Sequence, residues 1–200
     1  MRGASLVKPL LFAASLAPLA CLSLGAWQGS LGANPIETIT RATGVWTLRF
    51  MLVALAVTPA RWLTGLKDLI RLRRMLGLFA FFYGSLHLLT YVWLDQFFDV
   101  AAIARDVVKR PFITAGFSAY VLLVPLALTS TAGMIRRLGG RTWRRLHRLA
   151  YVTAALGVVH YWWLVKLDTR PPRNYAILLA VLLLVRVWIV VKARRERQRA

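Results

Sequence analysis

Residues 75–95 read MLGLFAFFYGSLHLLTYVWLD, and residues 146–166 read LHRLAYVTAALGVVHYWWLVK. Both segments are close to the roughly 20 apolar residues that an α-helix needs to cross a bilayer. Each segment also carries a histidine well inside it, His87 in the first and His160 in the second. Because an imidazole is costly to place in hydrocarbon unless something binds it, an ionisable residue in such a segment predicts a functional site.

The rest of the chain repeats this apolar pattern. The 200 residues are 58% hydrophobic, with a mean hydropathy of +0.58, and the apolar residues are concentrated in blocks. Six blocks have the length of a membrane-spanning helix, at about 8–27, 44–64, 75–95, 111–131, 146–166 and 174–192. Pro111 suits the first turn of the fourth helix, whereas Pro18 and Pro125 predict kinks that a membrane bundle tolerates. We therefore predict a single all-α transmembrane domain over residues 1–200, built as a six-helix bundle.

The N-terminal block allows a second interpretation. Lys8 and the apolar run after it resemble a secretory signal peptide, and residues 18–21, PLAC, resemble a lipoprotein cleavage site. Proline replaces the usual aliphatic residue there and the apolar run continues to Trp27, so we interpret the block as an uncleaved first span. Cys21 is the only cysteine, which excludes an internal disulfide and any multi-cysteine metal site.

The charged residues predict the orientation of the bundle. The chain has 27 Lys and Arg against 7 Asp and Glu, for a net charge of +20. The basic residues lie between apolar blocks rather than on one surface, which favours membrane lipid over nucleic acid as a partner. The Lys67–Arg74 loop, the Arg136–Arg145 loop and the basic tail fall on one side, and five of the seven acidic residues fall on the other. The positive-inside bias predicts that both termini are cytoplasmic.

The two buried histidines are predicted to lie at one depth. His87 is 13 residues beyond Arg74, and His160 is 15 residues beyond Arg145. At about 1.5 Å per residue these depths agree within roughly 3 Å. Two imidazoles at one level on separate helices could bind a single haem iron axially. Interhelical hydrogen bonding is the competing interpretation, whereas zinc is disfavoured because no third or fourth ligand is apparent.

His147 lies elsewhere. It precedes His160 by 13 residues, which is about 20 Å along a helix and about 140° around it. This places His147 at the cytoplasmic face, where it is either part of a second redox centre or an interfacial cation among arginines. Counting back 13 or 14 residues from His87 reaches Arg74 or Arg73, so the third span offers His147 no histidine partner.

Several arginines are candidate cofactor ligands. Arg49 lies near the depth of the outer histidines, where it could pair with haem propionates or extend to the headgroups. Arg144, Arg145 and Arg148 surround His147 and could hold propionates, a flavin phosphate or a quinone headgroup. Fixing topology and contacting anionic lipid is the alternative role of this cluster. Because the chain has no Walker loop and no GxGxxG motif, we expect electrons to come from another protein or a membrane carrier.

Six segments taken together resemble the MsrQ family, formerly YedZ. They are LGANP (31–35), RLRRMLGLFAFFYGSLHLLTY (71–91), KRPFITAGFSAY (109–120), LALTS (126–130), WRRLHRLAY (143–151) and VVHYWWLVK (158–166). The resemblance implies a ferric-reductase-like transmembrane domain in the bacterial inner membrane, with haem b (one or two) and FMN as cofactors. It also implies electron transfer from the quinone pool, or from a cytoplasmic flavin reductase, to the periplasmic molybdopterin reductase MsrP. MsrP is the catalytic subunit that repairs methionine sulfoxide in oxidised periplasmic proteins.

The resemblance assigns cofactor roles to all three histidines. His87, His147 and His160 occupy the histidine positions of the family motifs SLHLLTY, RLHRLAY and VVHYWW. The wider ferric-reductase pattern has two histidines in each of spans three and five, whereas span three here has one, so span three offers no histidine ligand for an inner haem. Two other classes of function stay open. A proton-relaying transporter would carry intramembrane carboxylates, and a purely structural anchor would tolerate loss of every histidine.

Overall fold

The computed structural model describes residues 3–199, and this part of the chain is helical without any strand. The α-helices are α1 (Gly3–Trp27), α2 (Pro35–Thr64), α3 (Ile70–Leu89), α4 (Val100–Lys109), α5 (Pro111–Leu128), α6 (Ala132–Leu146), α7 (Leu149–Leu164) and α8 (Arg170–Arg199). A 3₁₀ turn, Lys67–Leu69, leads into α3, and a π-helical segment, Thr90–Asp95, continues it. The all-α fold class predicted from the apolar blocks is confirmed.

Helix α2 begins nine residues before the predicted second span. The Asn34 side chain caps it by accepting a hydrogen bond from the Glu37 backbone N–H at 3.2 Å, and Pro35 occupies the first turn. The helix ends where Gly65 adopts φ 71° and donates its N–H to the Arg61 carbonyl. Residues 35–43 are too polar to be included in an apolar block, although their capping signals favour a helix. The resulting 30 residues extend about 45 Å, so α2 is longer than the hydrocarbon core is thick.

Among residues 3–199, five helices are long and apolar enough to cross a membrane: Val7–Trp27, Pro35–Thr64, Lys67–Asp95, Pro111–Leu128 and Arg170–Gln198. The remaining candidate, α7, has 16 residues and extends only about 24 Å. It starts three residues later than the predicted span 146–166 because the chain turns at 147–148. The predicted continuous helix from His147 to His160 is therefore wrong at its N-terminal end.

Two predicted loops contain amphipathic helices. Helix α4 lies in the loop after the third span, where the Asp99 side chain caps it by accepting from the Ala102 N–H at 2.9 Å. Helix α6 carries most of the basic residues of the loop before α7, and Gly139 interrupts its helical geometry with φ 73° and ψ 150°. Their charged faces keep both helices out of the set of apolar spans.

Helices α2 and α3 pack along each other, as do α5 and α7, and these two pairs position the site. The core is apolar and includes the side chains of Leu52, Leu76 and Ala80. Tyr83, which is fully buried, connects this core to α1. Its hydroxyl accepts the Leu19 N–H at 3.2 Å and donates to the Ser15 carbonyl at 2.9 Å. In a regular helix the Leu19 N–H would donate directly to the Ser15 carbonyl. Here, one residue after Pro18, the Tyr83 hydroxyl bridges these two groups instead.

Candidate functional site

The structure brings His87 and His160 together. His87 lies near the end of α3 and His160 near the end of α7, and their ring centroids are 6.0 Å apart with an angle of 72° between the planes. Neither residue is exposed. Since α3 and α7 belong to different packed pairs, the histidines lie where the two pairs face each other.

Each histidine is anchored through the same ring nitrogen. Nδ1 of His87 lies 2.8 Å from the Thr40 carbonyl oxygen, and Nδ1 of His160 lies 2.6 Å from the Phe112 carbonyl oxygen. A carbonyl oxygen only accepts hydrogen bonds, so each Nδ1 carries the hydrogen and donates it. In a neutral imidazole the lone pair then lies on Nε2. Metal-ligating histidines almost always donate their other N–H to such an acceptor, so both rings are prepared to bind a metal through Nε2.

Two glycines make room for these rings. A Cβ atom at Gly44 would lie 3.0 Å from His87 Cε1, and a Cβ at Gly116 would lie 2.7 Å from His160 Nδ1. Gly44 follows Thr40 by four residues on α2, and Gly116 follows Phe112 by four residues on α5. Each histidine therefore lies in a histidine seat, defined as a backbone carbonyl and, one helical turn later, a glycine. Sequence reasoning missed both glycines, although an isolated glycine inside a helix is itself a signal of close packing.

The pair of seats fits a haem iron. An imidazole nitrogen binds a first-row metal at about 2.0–2.1 Å, and the ring centre lies roughly 1 Å behind that nitrogen. Two imidazoles on opposite sides of one ion therefore have centres about 6 Å apart, which matches the 6.0 Å observed. Among the described residues, no group of three or more His, Cys, Asp and Glu side chains could hold a metal ion. Two imidazoles alone suit the two axial positions of a haem.

The Arg49 side chain contacts a tyrosine of α8 and a tryptophan of its own helix. Its Nε donates to the Tyr175 hydroxyl on α8 at 3.0 Å, and its guanidinium lies 4.6 Å from the centre of the Trp46 ring. The side chain is otherwise exposed. The pairing of Arg49 with a cofactor carboxylate stays a prediction.

His147 is bonded differently from the other two histidines. It lies in the turn between α6 and α7, where its ring stacks on Trp143 at 4.0 Å and its Nε2 lies 3.1 Å from Thr129 Oγ1. The Thr129 hydroxyl donates to the Pro125 carbonyl at 2.6 Å, so it accepts from His147 Nε2–H. Trp143 Nε1 donates to the Thr129 carbonyl at 3.0 Å and fixes the stack. Nε2 is therefore hydrogen-bonded to Thr129 in His147, whereas in His87 and His160 it is free.

A cavity of about 240 Å³ lies beside His147, between α2, α3, α5 and α6. We call it the inner cavity. Its polar lining consists of Arg73, Arg74, Ser130, Trp143 and His147, and its other walls are apolar. The predicted ligands Arg144, Arg145 and Arg148 are exposed and lie outside this lining, so their cofactor roles stay predictions. The depth count from His87 places Arg73 and Arg74 at the level of His147, and the structure places both in the lining of the same cavity.

The fold and the paired histidines define a multi-pass membrane protein of the ferric-reductase-like class. Residues 43–158 match the family model described as "Ferric reductase like transmembrane component". That segment includes His87, His147 and both seat glycines, and it ends two residues before His160.

The curated relatives narrow the class to one family. A protein of Herminiimonas arsenicoxydans is 59% identical over 186 residues, covering 92% of this chain and 85% of its own length. One from Azospira oryzae is 57% identical, covering 97% and 82%, and one from Xanthomonas campestris pv. campestris is 53% identical, covering 96% and 90%. Each is named "Protein-methionine-sulfoxide reductase heme-binding subunit MsrQ". The chain belongs to the MsrQ family, which confirms the resemblance found in its sequence.

Proposed function

We propose that this protein is the haem-binding membrane subunit of a methionine sulfoxide reductase system and carries electrons across the inner membrane. The observation that carries the proposal is the pair of imidazoles 6.0 Å apart, each with Nδ1 held by a carbonyl and Nε2 left free. The names of the relatives support it. Neither a proton relay nor a structural anchor requires two histidines, each held in the same kind of seat, to lie next to each other.

His87 and His160 are the residues that would hold haem b. When bound, haem supplies one-electron chemistry. The chain itself orients the two rings through the carbonyls of Thr40 and Phe112. Buried apolar side chains of α2 and α3, such as Leu48 and Phe79, keep water from the core beside the site.

The route of the electrons forms the second part of the proposal. The quinone pool or a cytoplasmic flavin reductase supplies them, and the periplasmic molybdopterin reductase MsrP receives them. This assignment, and FMN as a further cofactor, rest on the family resemblance.

The topology is the third part. We infer six crossings with both termini in the cytoplasm, counting the short α7 as a span. Helix α7 packs along α5, whose 18 residues extend about 27 Å, so this half of the bundle is suited to a locally thin bilayer. The basic residues of α6 and of the end of α8 would then lie on the cytoplasmic side.

The function is tested by purifying the protein and its histidine variants from the membrane. We expect a Soret band, a low-spin ferrous spectrum and haem in the pyridine haemochrome assay. His87→Ala and His160→Ala should abolish the bis-imidazole spectrum, whereas His147→Ala should retain it because its Nε2 is bonded to Thr129. Wild-type protein without haem, or unaltered spectra in both outer variants, would overturn the proposal. An active partner reductase despite loss of all three histidines would favour the structural anchor, and substrate flux in haem-free protein would favour a transporter.

A further inference from the structure

The inner cavity has a polar end and an apolar end. Arg73, Arg74 and His147 line it at the basic face of the bundle, whereas Ala80 and Leu123 line it farther in. Ala80 is seven residues from Arg73 on α3, so the cavity reaches about 10 Å into the bundle. A ligand that matches this lining has a polar head and an apolar remainder, as a membrane-soluble molecule does.

The polar end suits an aromatic ring that carries oxygen substituents. Guanidinium groups donate hydrogen bonds and cannot accept them, so Arg73 and Arg74 select oxygen acceptors or anions. The stacked rings of Trp143 and His147 provide a flat aromatic wall. With Nε2 of His147 donating to Thr129, the lone pair of this imidazole lies on Nδ1, which can accept a hydroxyl hydrogen.

The size of the inner cavity limits its occupant. Its 240 Å³ is below the roughly 300–1,000 Å³ of pockets that enclose drug-sized ligands. A phosphorylated flavin or a second haem needs more room than that. A second haem would also have to bind His147 through Nδ1, because Nε2 donates to Thr129.

We propose that the inner cavity binds the head group of a quinol, with Arg73 and Arg74 at its ring oxygens and the Trp143–His147 stack against its face. The inference rests on the proposed function, and specifically on the quinone pool as the electron donor. It assigns the binding role to Arg73 and Arg74 of α3, which line the inner cavity, rather than to the arginines around His147, which lie outside its lining.

Gly77 permits a direct test of this site. It lines the inner cavity, and a Cβ atom built on it meets no atom within 4 Å. Gly77→Leu therefore fills the space without a clash at Cβ, and removing a glycine from a helix interior favours folding. Leu78→Phe is its control, because Leu78 is the next residue of α3 and is 37% exposed. Arg71→Gln is the control for Arg73→Gln, because Arg71 lies on the same helix and its exposed side chain pairs with Asp68 instead of lining the inner cavity.

The experiment uses haem-loaded protein in nanodiscs made of quinone-free lipid. The probe is the fluorescent quinol analogue 2-heptyl-4-hydroxyquinoline N-oxide, whose emission is quenched on binding, with decylubiquinone as competitor. We expect one site per polypeptide, at least tenfold weaker binding in Arg73→Gln, and no saturable binding in Gly77→Leu. Arg71→Gln and Leu78→Phe should bind within twofold of wild type.

Three results would overturn the inference. The first is no saturable binding of the quinol analogue to wild type. The second is that the control variants weaken its binding as much as Arg73→Gln does. The third is a wild-type protein with two haems per polypeptide that keeps only one in Gly77→Leu. In each of these the outer-pair spectrum persists, so the proposed function stands. Loss of that spectrum from the wild-type protein is a different result, and it would remove the proposed function itself.

Discussion

Gly116→Ala is expected to damage haem binding more than any other single methyl group added at a glycine in the described helices. The new Cβ would lie 2.7 Å from His160 Nδ1, whereas ordinary van der Waals contact begins at 3.4 Å. The ring must therefore retreat by about 0.7 Å, the difference between these distances. Such a retreat lengthens the 2.6 Å bond to the Phe112 carbonyl to or beyond the usual 2.7–3.2 Å range.

The magnitude follows from the cost of overpacking. An added methyl group in a close-packed site typically costs about 1–3 kcal/mol. At Gly116 this cost applies when the His160 ring is in the position that binds haem. Without haem the ring can turn away from the new methyl group, so the cost appears as weaker haem binding. At 1.4 kcal/mol per tenfold change in affinity, haem binding should weaken by roughly five- to 150-fold. At Gly44 the corresponding retreat is only about 0.4 Å, from 3.0 to 3.4 Å, so Gly44→Ala should weaken binding less.

The assay is a titration of haem-depleted protein with haemin, followed by the Soret band and by the low-spin electron paramagnetic resonance signal. Gly157→Ala is the matched control, since Gly157 lies three residues before His160 and its Cβ would meet Leu48 Cδ1 at an ordinary 3.6 Å. The control should bind haem as wild type does and gain up to about 1 kcal/mol of stability from helix propensity. Equal losses in Gly157→Ala and Gly116→Ala, or a larger loss at Gly44, would refute the role of the seats.

Three further predictions follow from other contacts. Tyr83→Phe removes the hydroxyl that bridges two backbone groups of α1, so the free energy of unfolding should fall by about 1–3 kcal/mol. Thermal melts measure this loss, and the haem content should stay unchanged. An unchanged melting temperature would contradict the prediction. Arg49→Gln tests the predicted pairing of Arg49 with a haem propionate: the loss of that pair should weaken haem binding by about threefold or more, and a smaller change would leave Arg49 with only its contacts to Tyr175 and Trp46. A C-terminal reporter that is active only in the periplasm should be silent, and activity there would refute the six-span topology.

The sequence predicted which histidines come together because depth along a helix depends only on rise per residue. His87 and His160 are each a fixed number of residues from a basic boundary, and that count places them at one level. It could not predict the rotation of each ring, since Nδ1 is fixed by the backbone carbonyls of Thr40 and Phe112. Backbone acceptors exist at every residue and leave no mark in the sequence.

Around His147 the structure differs from the predicted helix because the chain turns there. A single helix over 146–166 predicts that the ligands near His147 lie on its own segment, at Arg144, Arg145 and Arg148. The turn at 147–148 and the Trp143 stack orient His147 toward α3 instead, where Arg73 lies. A turn inside a basic amphipathic segment gives a weak sequence signal, because neither proline nor glycine marks it.

The two histidine seats amount to a structural repeat that the sequence conceals. In each packed pair, α2 with α3 and α5 with α7, the earlier helix supplies a carbonyl and a glycine four residues later, and the later helix supplies the imidazole. The only side-chain signature is one glycine and one histidine per pair, too little to register as a repeat. The seats are also unequal, because the clearance is 2.7 Å at Gly116 and 3.0 Å at Gly44. The α5–α7 pair therefore encloses its ring more closely, so we expect the α2–α3 pair to be the half that would adjust if a haem bound between the two seats.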